Sequence, residues 1–212
     1  RRAVELLDID SHRGIHPRLG VVDVVPFVPL GETPLSEALR ARDEFARWAA
    51  DELGLPVFVY GPLDGADRQL PDIRRGAWRD VQPTFGPSHP HPSAGAMCVG
   101  ARRVLVAYNL WLEPSTSEAS TRAIARAVRG DGIRSLALFP HGQPQVSMNL
   151  VEPERVGPDH AFDRAAYECT RVGARIARSE LVGLIPRSVL MRIDRRRWRE
   201  LDLAEETTIE SR

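Results

Sequence analysis

The densest group of side chains able to do chemistry lies in residues 10–20, DSHRGIHPRLG, which contain two histidines and two arginines. Histidine titrates near neutral pH, so His12 or His16 could carry a proton to or from a substrate. The planar guanidinium groups of Arg13 and Arg18 can bind carboxylates through paired hydrogen bonds. The segment therefore predicts acid–base chemistry on an anionic substrate, although an exposed turn with solvated histidines would have the same composition.

Metal binding is the other chemistry that this segment suggests. His12 and His16 are four residues apart, a spacing that places two zinc ligands on one face of a helix. Pro17 and the glycines at positions 14 and 20 disfavour a helix here, and the sequence offers no evident third ligand. We therefore expect no metal.

A second polar segment, FGPSHPHPSAG at 85–95, combines prolines, which stiffen a loop, with glycines and two serines. Serine hydroxyls and free backbone groups could pair with the edge of a heteroaromatic ring. Loops of this composition are also common connectors, so the residues alone leave both interpretations open.

Strands and a helix must position these segments in the first half. The β-branched run at 21–29 predicts a buried strand just after the first segment. It contains Asp23, whose carboxylate would need a partner when buried, either a nearby Arg or His or the backbone of a loop. A helix is expected from an N-cap at Thr33 to Leu53, with Gly54 ending it, and a strand at 56–61 follows. The region 62–95 is expected to be mostly loop, with a helical turn near 70–76.

The second half predicts a regular alternation. Strands are expected at 104–112, 133–139, 145–151 and 181–185, and helices at about 118–128, 162–177 and 188–203. The first of these helices would follow a capping box at Ser115–Glu118. In chain order, the first six of these seven elements follow the βαββαβ order of a ferredoxin-like unit. We predict an α/β protein with two ferredoxin-like βαββαβ-type subdomains, at 1–102 and 103–212, the first truncated because RRAVELL at the start is typical of the end of a helix.

The composition of the whole chain argues against some classes of function. The 212 residues are 42% hydrophobic and 27% charged, with a formal net charge of zero, which is typical of soluble globular protein and lacks the basic excess of a nucleic-acid binder. No apolar run has the length of a membrane span, and no signal peptide opens the chain. The two cysteines, Cys98 and Cys169, form no CxxC pair and are expected in the core, so we predict a cytoplasmic protein. The arginines at 192–199 are expected to form a solvated helix face.

The motifs go further than composition. Residues 12–30, HRGIHPRLGVVDVVPFVPL, resemble the formiminotransferase signature H-[KR]-G-x-H-P-R-[ML]-G-x-x-D-x-x-P-F-[IV]-P. Residues 85–102, FGPSHPHPSAGAMCVGAR, resemble that family's F-G-P-S…P-S-x-G…G-A-R loop. Shorter similar segments at 56–61, 70–76, 145–150 and 179–186 follow in the same order, so the resemblance covers nearly the whole chain.

The resemblance to the glutamate formimidoyltransferase family implies both fold and activity. Two ferredoxin-like subdomains, the N-terminal one partial here, would form the site between them. The family moves a formimino group from N-formimino-L-glutamate, supplied by histidine degradation, to N5 of tetrahydrofolate. The catalytic histidine of the family matches His16. The folate loop matches Gly86, Pro87, Ser88, Pro92, Ser93 and Gly95. Family precedent also implies a homodimer, with small molecules as its other partners.

Two departures keep other functions open. Position 15 is Ile, where the family usually has Glu, and residues 89–94 are less apolar than the familiar loop. A catalytically silent member that binds folate or a partner is one alternative, and a relative using another formimino or formyl donor is a second. Pairing of the donor's carboxylates with Arg13 and Arg18 is a hypothesis that rests on charge alone.

Overall fold

The β-branched run at 21–29 forms a short strand, and the chain around it builds the first of two four-stranded sheets. The structure is a computed structural model that describes residues 1–212 and divides into two compact units, 1–103 and 104–212. The elements of the first unit are α1 (Arg2–Leu6), β1 (Val24–Phe27), α2 (Leu35–Leu53), β2 (Val57–Leu63), β3 (Ala66–Arg68), α3 (Leu70–Gly76) and β4 (Met97–Ala101).

The first sheet has the order β1-β4-β2-β3. Strand β4 lies at its centre, parallel to both β1 and β2, and all five of its residues are buried. The sequence did not predict this strand, because it is short and directly follows a segment rich in Pro, Gly and Ser. Strands β1 and β2 are joined through α2 and separated by β4, which resembles a split βαβ unit with a parallel inserted strand.

Apolar layers cover both faces of this sheet. Helix α2 packs Ala46 and Ala49 against one face, where Val59 and Val99 are fully buried. Helix α3 covers the other face through Ile73. The predicted end of α2 is confirmed, since Gly54 adopts a left-handed conformation with φ 62°. The predicted start is wrong by one residue, because Pro34 rather than Thr33 occupies the N-cap position, without a side-chain cap.

The second unit has the predicted βαββαβ order. Its elements are β5 (Val106–Leu112), α4 (Glu118–Val128), β6 (Ile133–Leu138), β7 (Gln145–Leu150), α5 (Pro158–Arg171), β8 (Ile176–Val182) and the short α6 (Arg187–Leu190). The sheet order is β6-β7-β5-β8, and every neighbouring pair is antiparallel. The α/β class is therefore confirmed, and the split ferredoxin-like pattern is seen here with an antiparallel inserted strand, β7.

Several boundaries in this unit differ from the prediction. Helix α4 is capped by Ser117, whose hydroxyl accepts a hydrogen bond from the Ser120 amide, so the capping box expected from Ser115 does not form. The helix expected at 162–177 ends at 171, and Gly173 at φ 69° turns the chain into a strand that begins at 176. The shift places β8 at 176–182 instead of 181–185.

The basic helix predicted at 188–203 is also wrong. The chain forms α6 and then a 3-10 turn at Arg195–Arg197, because the Asp194 carboxylate accepts a bond from the Arg196 amide and starts a new turn. Its arginines form ion pairs, among them Arg197 with Asp163. None of the helices combines the length and apolar character that crossing a bilayer requires.

Candidate active site

His16 lies in the irregular segment that connects α1 to β1 in the first unit. Its side chain is exposed and contributes to the wall of a cavity of about 560 Å³. Leu6, the last residue of α1, and Leu7, which follows it, form part of the wall; residues between 8 and 23, Arg18 among them but not Arg13, form the rest. The imidazole is thus open to a small molecule instead of being held in the core.

Arg18 folds this segment onto itself. One terminal nitrogen of its guanidinium, Nη2, donates to the carbonyl oxygens of Ile9, at 3.3 Å, and of His12. Its Nε is buried and has no hydrogen-bond partner. The side chain of Arg13 bonds only to backbone carbonyls, including that of Asp10 at 3.1 Å, and stays exposed. Arg18 therefore holds the shape of the segment, and Arg13 is the more accessible cation.

Asp23 anchors the other end of the segment. Its Oδ1 accepts a hydrogen bond from the Leu19 amide at 2.6 Å, and its Oδ2 pairs with Arg74 of helix α3. Both partners predicted for this carboxylate are therefore present, an arginine and the backbone of a loop. The ion pair fixes the His16 segment to a helix that lies about fifty residues further along the chain.

Backbone hydrogen bonds join the His16 segment to the second polar segment. The Ile9 amide donates to the Ser93 carbonyl at 2.7 Å, the Val21 amide to the Ala94 carbonyl at 3.0 Å, and the Ala96 amide to the Leu19 carbonyl at 2.8 Å. Residues 93–96 therefore lie beside the chain that carries His16. The cavity wall itself contains none of residues 86–95.

Close backbone contacts explain two of the glycines predicted to bind folate. A Cβ at Gly95, whose φ is +70°, would lie 2.2 Å from the Leu19 carbonyl oxygen. A Cβ at Gly86, whose φ is +82°, would lie 2.3 Å from the Leu55 carbonyl oxygen. Since no side chain fits at either position, the fold alone requires glycine there.

The other predicted folate residues differ in exposure. Ser88 and Pro92 are exposed, and Pro87 and Ser93 are half-buried. The Nδ1 atom of His91 accepts bonds from the amides of Ser93, at 3.3 Å, and Ala94, at 3.1 Å, so this imidazole stabilises the turn. Ser88 and Pro92 remain available for contact with a ligand.

Two other ionisable side chains of this sheet, Cys98 and Tyr60, have raised pKa values. Burial, assisted by the charge of Asp23, raises the pKa of the Cys98 thiol to about 12. Burial also raises the pKa of Tyr60, against the lowering effect of Arg102. The thiol is therefore an inert core group and no nucleophile. No group of three or more His, Cys, Asp and Glu side chains is arranged to hold a metal ion.

Sequence reasoning missed two residues at this site. Arg74 was not recognised as the partner of Asp23, although the need of a buried carboxylate for a cation was a signal that one existed. Asp8 precedes the segment taken as the site, yet it lines the same cavity as His16. The acidic character of 8–10, next to the histidine-rich stretch, was the available signal for Asp8.

Comparison with known proteins identifies the family. Residues 1–102 match the model of the formiminotransferase domain, N-terminal subdomain. The chain is 36% identical to a glutamate formimidoyltransferase of Thermoplasma acidophilum over 214 residues, which covers 90% of this chain and 69% of the relative. It is 32% identical to a glutamate formimidoyltransferase of Streptococcus pyogenes serotype M1, covering 89% of this chain and 69% of the relative.

Relatives with longer chains match as well. The chain is 32% identical to a formimidoyltransferase-cyclodeaminase of Dictyostelium discoideum, covering 91% of this chain and 40% of that protein. The match to the Thermoplasma acidophilum protein extends over most of both chains, and the relatives named here are all named as transferases of the formimidoyl group. The chain therefore belongs to the formiminotransferase family of transferases.

Proposed function

We propose that this protein transfers the formimino group of N-formimino-L-glutamate to N5 of tetrahydrofolate, with His16 as general base. Relatives named glutamate formimidoyltransferase support the reaction. The observation that carries the role of His16 is its exposed imidazole in the wall of a cavity large enough for a small molecule. The second unit would then be the formiminotransferase C-terminal subdomain.

The reaction requires one proton to move twice. A bond forms between N5 and the formimino carbon, and the bond from that carbon to the glutamate nitrogen breaks. Neutral His16 accepts the proton that N5 loses, and the resulting imidazolium gives it to the departing glutamate nitrogen. Glutamate and the N5-formimino folate are the products, and His16 ends in its original state.

We assign the folate to the side of the site that residues 86–95 form. Ser88, Pro92 and Ser93 would contact it, and Pro87 would stiffen the loop. The support is that 93–96 are bonded directly to the backbone of the His16 segment, so the two segments keep a fixed separation. Gly86 and Gly95 give the loop the shape that these contacts need.

The two arginines would have different tasks. Arg13 is exposed and bonds only to backbone carbonyls, so it is the proposed partner of a glutamate carboxylate. Arg18 is held by two carbonyl oxygens of the segment, and its free Nη1 edge would provide a second, weaker contact.

A direct assay tests the proposal. The purified protein is mixed with formiminoglutamate and tetrahydrofolate, and the transferred group is followed spectroscopically. We expect turnover by the wild type and a fall in kcat of about 10²–10⁴-fold for His16→Ala. The matched control is His160→Ala, an exposed histidine of helix α5 outside both the cavity wall and the 86–95 loop, which should retain activity.

The other possible outcomes of this assay would contradict or change the proposed function. Undiminished turnover in His16→Ala would contradict the role of this base. Folate binding without turnover would indicate a silent binding protein, and turnover only with a formyl donor would change the proposed substrate.

A further inference from the structure

We infer that Asp8 binds the protonated formimino group of the donor, an inference that rests on the proposed function. A formimino group attached to nitrogen is an amidine, which is a cation at neutral pH. Its delocalised N–H donors match a carboxylate as those of arginine do. The cavity that contains His16 should therefore offer a carboxylate with free acceptor capacity.

Two carboxylates line this cavity, Asp8 and Asp23. Asp23 is already committed, since Oδ1 accepts from the Leu19 amide and Oδ2 pairs with Arg74. Recruiting it would leave the half-buried arginine without its partner. Asp8 is exposed and forms no ion pair, so its charge remains available.

Local bonds hold Asp8 in one orientation. Its Oδ1 accepts a hydrogen bond from the Asp10 amide at 2.9 Å, and its backbone carbonyl accepts one from the Ser11 hydroxyl at 2.9 Å. This turn keeps the carboxylate at the cavity wall and leaves Oδ2 without a partner inside the protein. A preorganised acceptor loses less entropy on binding than a mobile one.

The neighbouring wall is apolar. Leu6, Leu7 and Ile15 are large hydrophobic side chains that remain 62%, 52% and 52% exposed, and all three line the cavity. They would remove water from around a bound donor without supplying a competing charge, which strengthens its pairing with Asp8.

The pairing also serves the reaction. The protonated amidine is the form that a nucleophile attacks, because its carbon carries more positive charge. Asp8 would favour that form while His16 receives the proton from the acceptor nitrogen. Asp8 is thus assigned to the donor, and His16 to the moving proton.

The test compares a charged and a neutral ligand of the same skeleton. Donor binding to the wild type and to Asp8→Asn is measured by calorimetry with formiminoglutamate and with N-formyl-L-glutamate, whose formyl group carries no charge. Asparagine keeps the acceptor for the Asp10 amide but loses the charge. We expect about ten-fold weaker binding of formiminoglutamate to the variant, a matching rise in KM, and a change under two-fold for N-formyl-L-glutamate.

The matched control is Asp10→Asn, an adjacent exposed carboxylate outside the cavity wall, which should bind both ligands as the wild type does. Equal binding of formiminoglutamate by wild type and Asp8→Asn would overturn the inference, as would equal weakening of both ligands. Failure of the proposed function has a different result, namely wild-type protein that binds the donor with the expected charge preference but transfers nothing to tetrahydrofolate.

Discussion

Replacing Asp23 by alanine should destabilise the first unit and release the His16 segment from helix α3. The variant leaves the Leu19 amide without its acceptor and the Arg74 guanidinium without its carboxylate. The side chains of the ion pair are only 22% and 27% exposed, so solvent replaces these bonds incompletely. The ion pair contributes about 1.5–3 kcal/mol and the bond from the Leu19 amide about 1 kcal/mol, which predicts a loss of roughly 2.5–4 kcal/mol.

Asparagine at position 23 separates the two contributions. It keeps an oxygen for the Leu19 amide and removes the charge that faces Arg74, so we expect only the loss of the ion pair, about 1.5–3 kcal/mol. Arg74→Met removes the same ion pair from the other side. Combining Asp23→Asn with Arg74→Met should cost less than the sum of the single changes, because the pair is lost only once.

Urea unfolding followed by tryptophan fluorescence measures these losses, since Trp48 and Trp78 both lie in the first unit. A loss below about 0.5 kcal/mol for Asp23→Ala would refute the reasoning, because that is the usual effect of an unremarkable surface substitution. Strictly additive effects in the double variant would show that Asp23 and Arg74 do not interact.

Two further changes test other parts of the fold. Gly95→Ala should lower the free energy of unfolding by roughly 3 kcal/mol, because the new Cβ would meet a backbone carbonyl at 2.2 Å. Gly31 has a similar positive φ but open space around it, so Gly31→Ala should lower it by only about 1 kcal/mol. Similar unfolding midpoints for the two variants would contradict this expectation. Burial raises the pKa of Glu180, but hydrogen bonds from the side chains of Asn109 and Trp111, together with the Arg178 guanidinium, lower it more, so the net direction is downward. The ionised carboxylate therefore stabilises the fold at pH values above the ordinary carboxyl pKa. Glu180→Gln should be roughly 1 kcal/mol less stable than the wild type at pH 7, and this difference should disappear as the pH falls below the lowered pKa. A difference in stability that persists in acid would disprove the assignment.

The sequence predicted the helix ends and strands that depend on residues close together in the chain. Gly54 ends α2 as expected, because a left-handed residue after an apolar helix is a local requirement. Strands β5, β6 and β7 were also predicted to within two residues of their ends, and β5 buries every second residue. Strand β4 was missed because MCVGA contains small residues without alternation, and its conformation depends on pairing with β1 and β2 on either side.

The candidate site also combines features that the sequence predicted with features that depend on the folded chain. The residue types at 10–20 indicated His12 or His16 as a proton carrier, and the resemblance to the formiminotransferase signature selected His16; the structure places both histidines in one cavity wall. The use of Arg18 as an internal clamp could not be predicted, since it depends on where the Ile9 and His12 carbonyls point. The partner of Asp23 was equally hidden, because Arg74 comes near only when the sheet and α3 have formed.

The bonds between 9–21 and 93–96 use amides and carbonyls alone, and every residue type except proline supplies both. Most substitutions of side chains in residues 86–95 should therefore leave the position of the His16 imidazole unchanged. If the proposed roles hold, natural variation at positions such as His89 could alter which ligands are accepted while the proposed base, His16, keeps its position. Ligand recognition and proton transfer would then be separately adjustable in this protein, although hydrogen bonds between their backbones hold the two segments side by side.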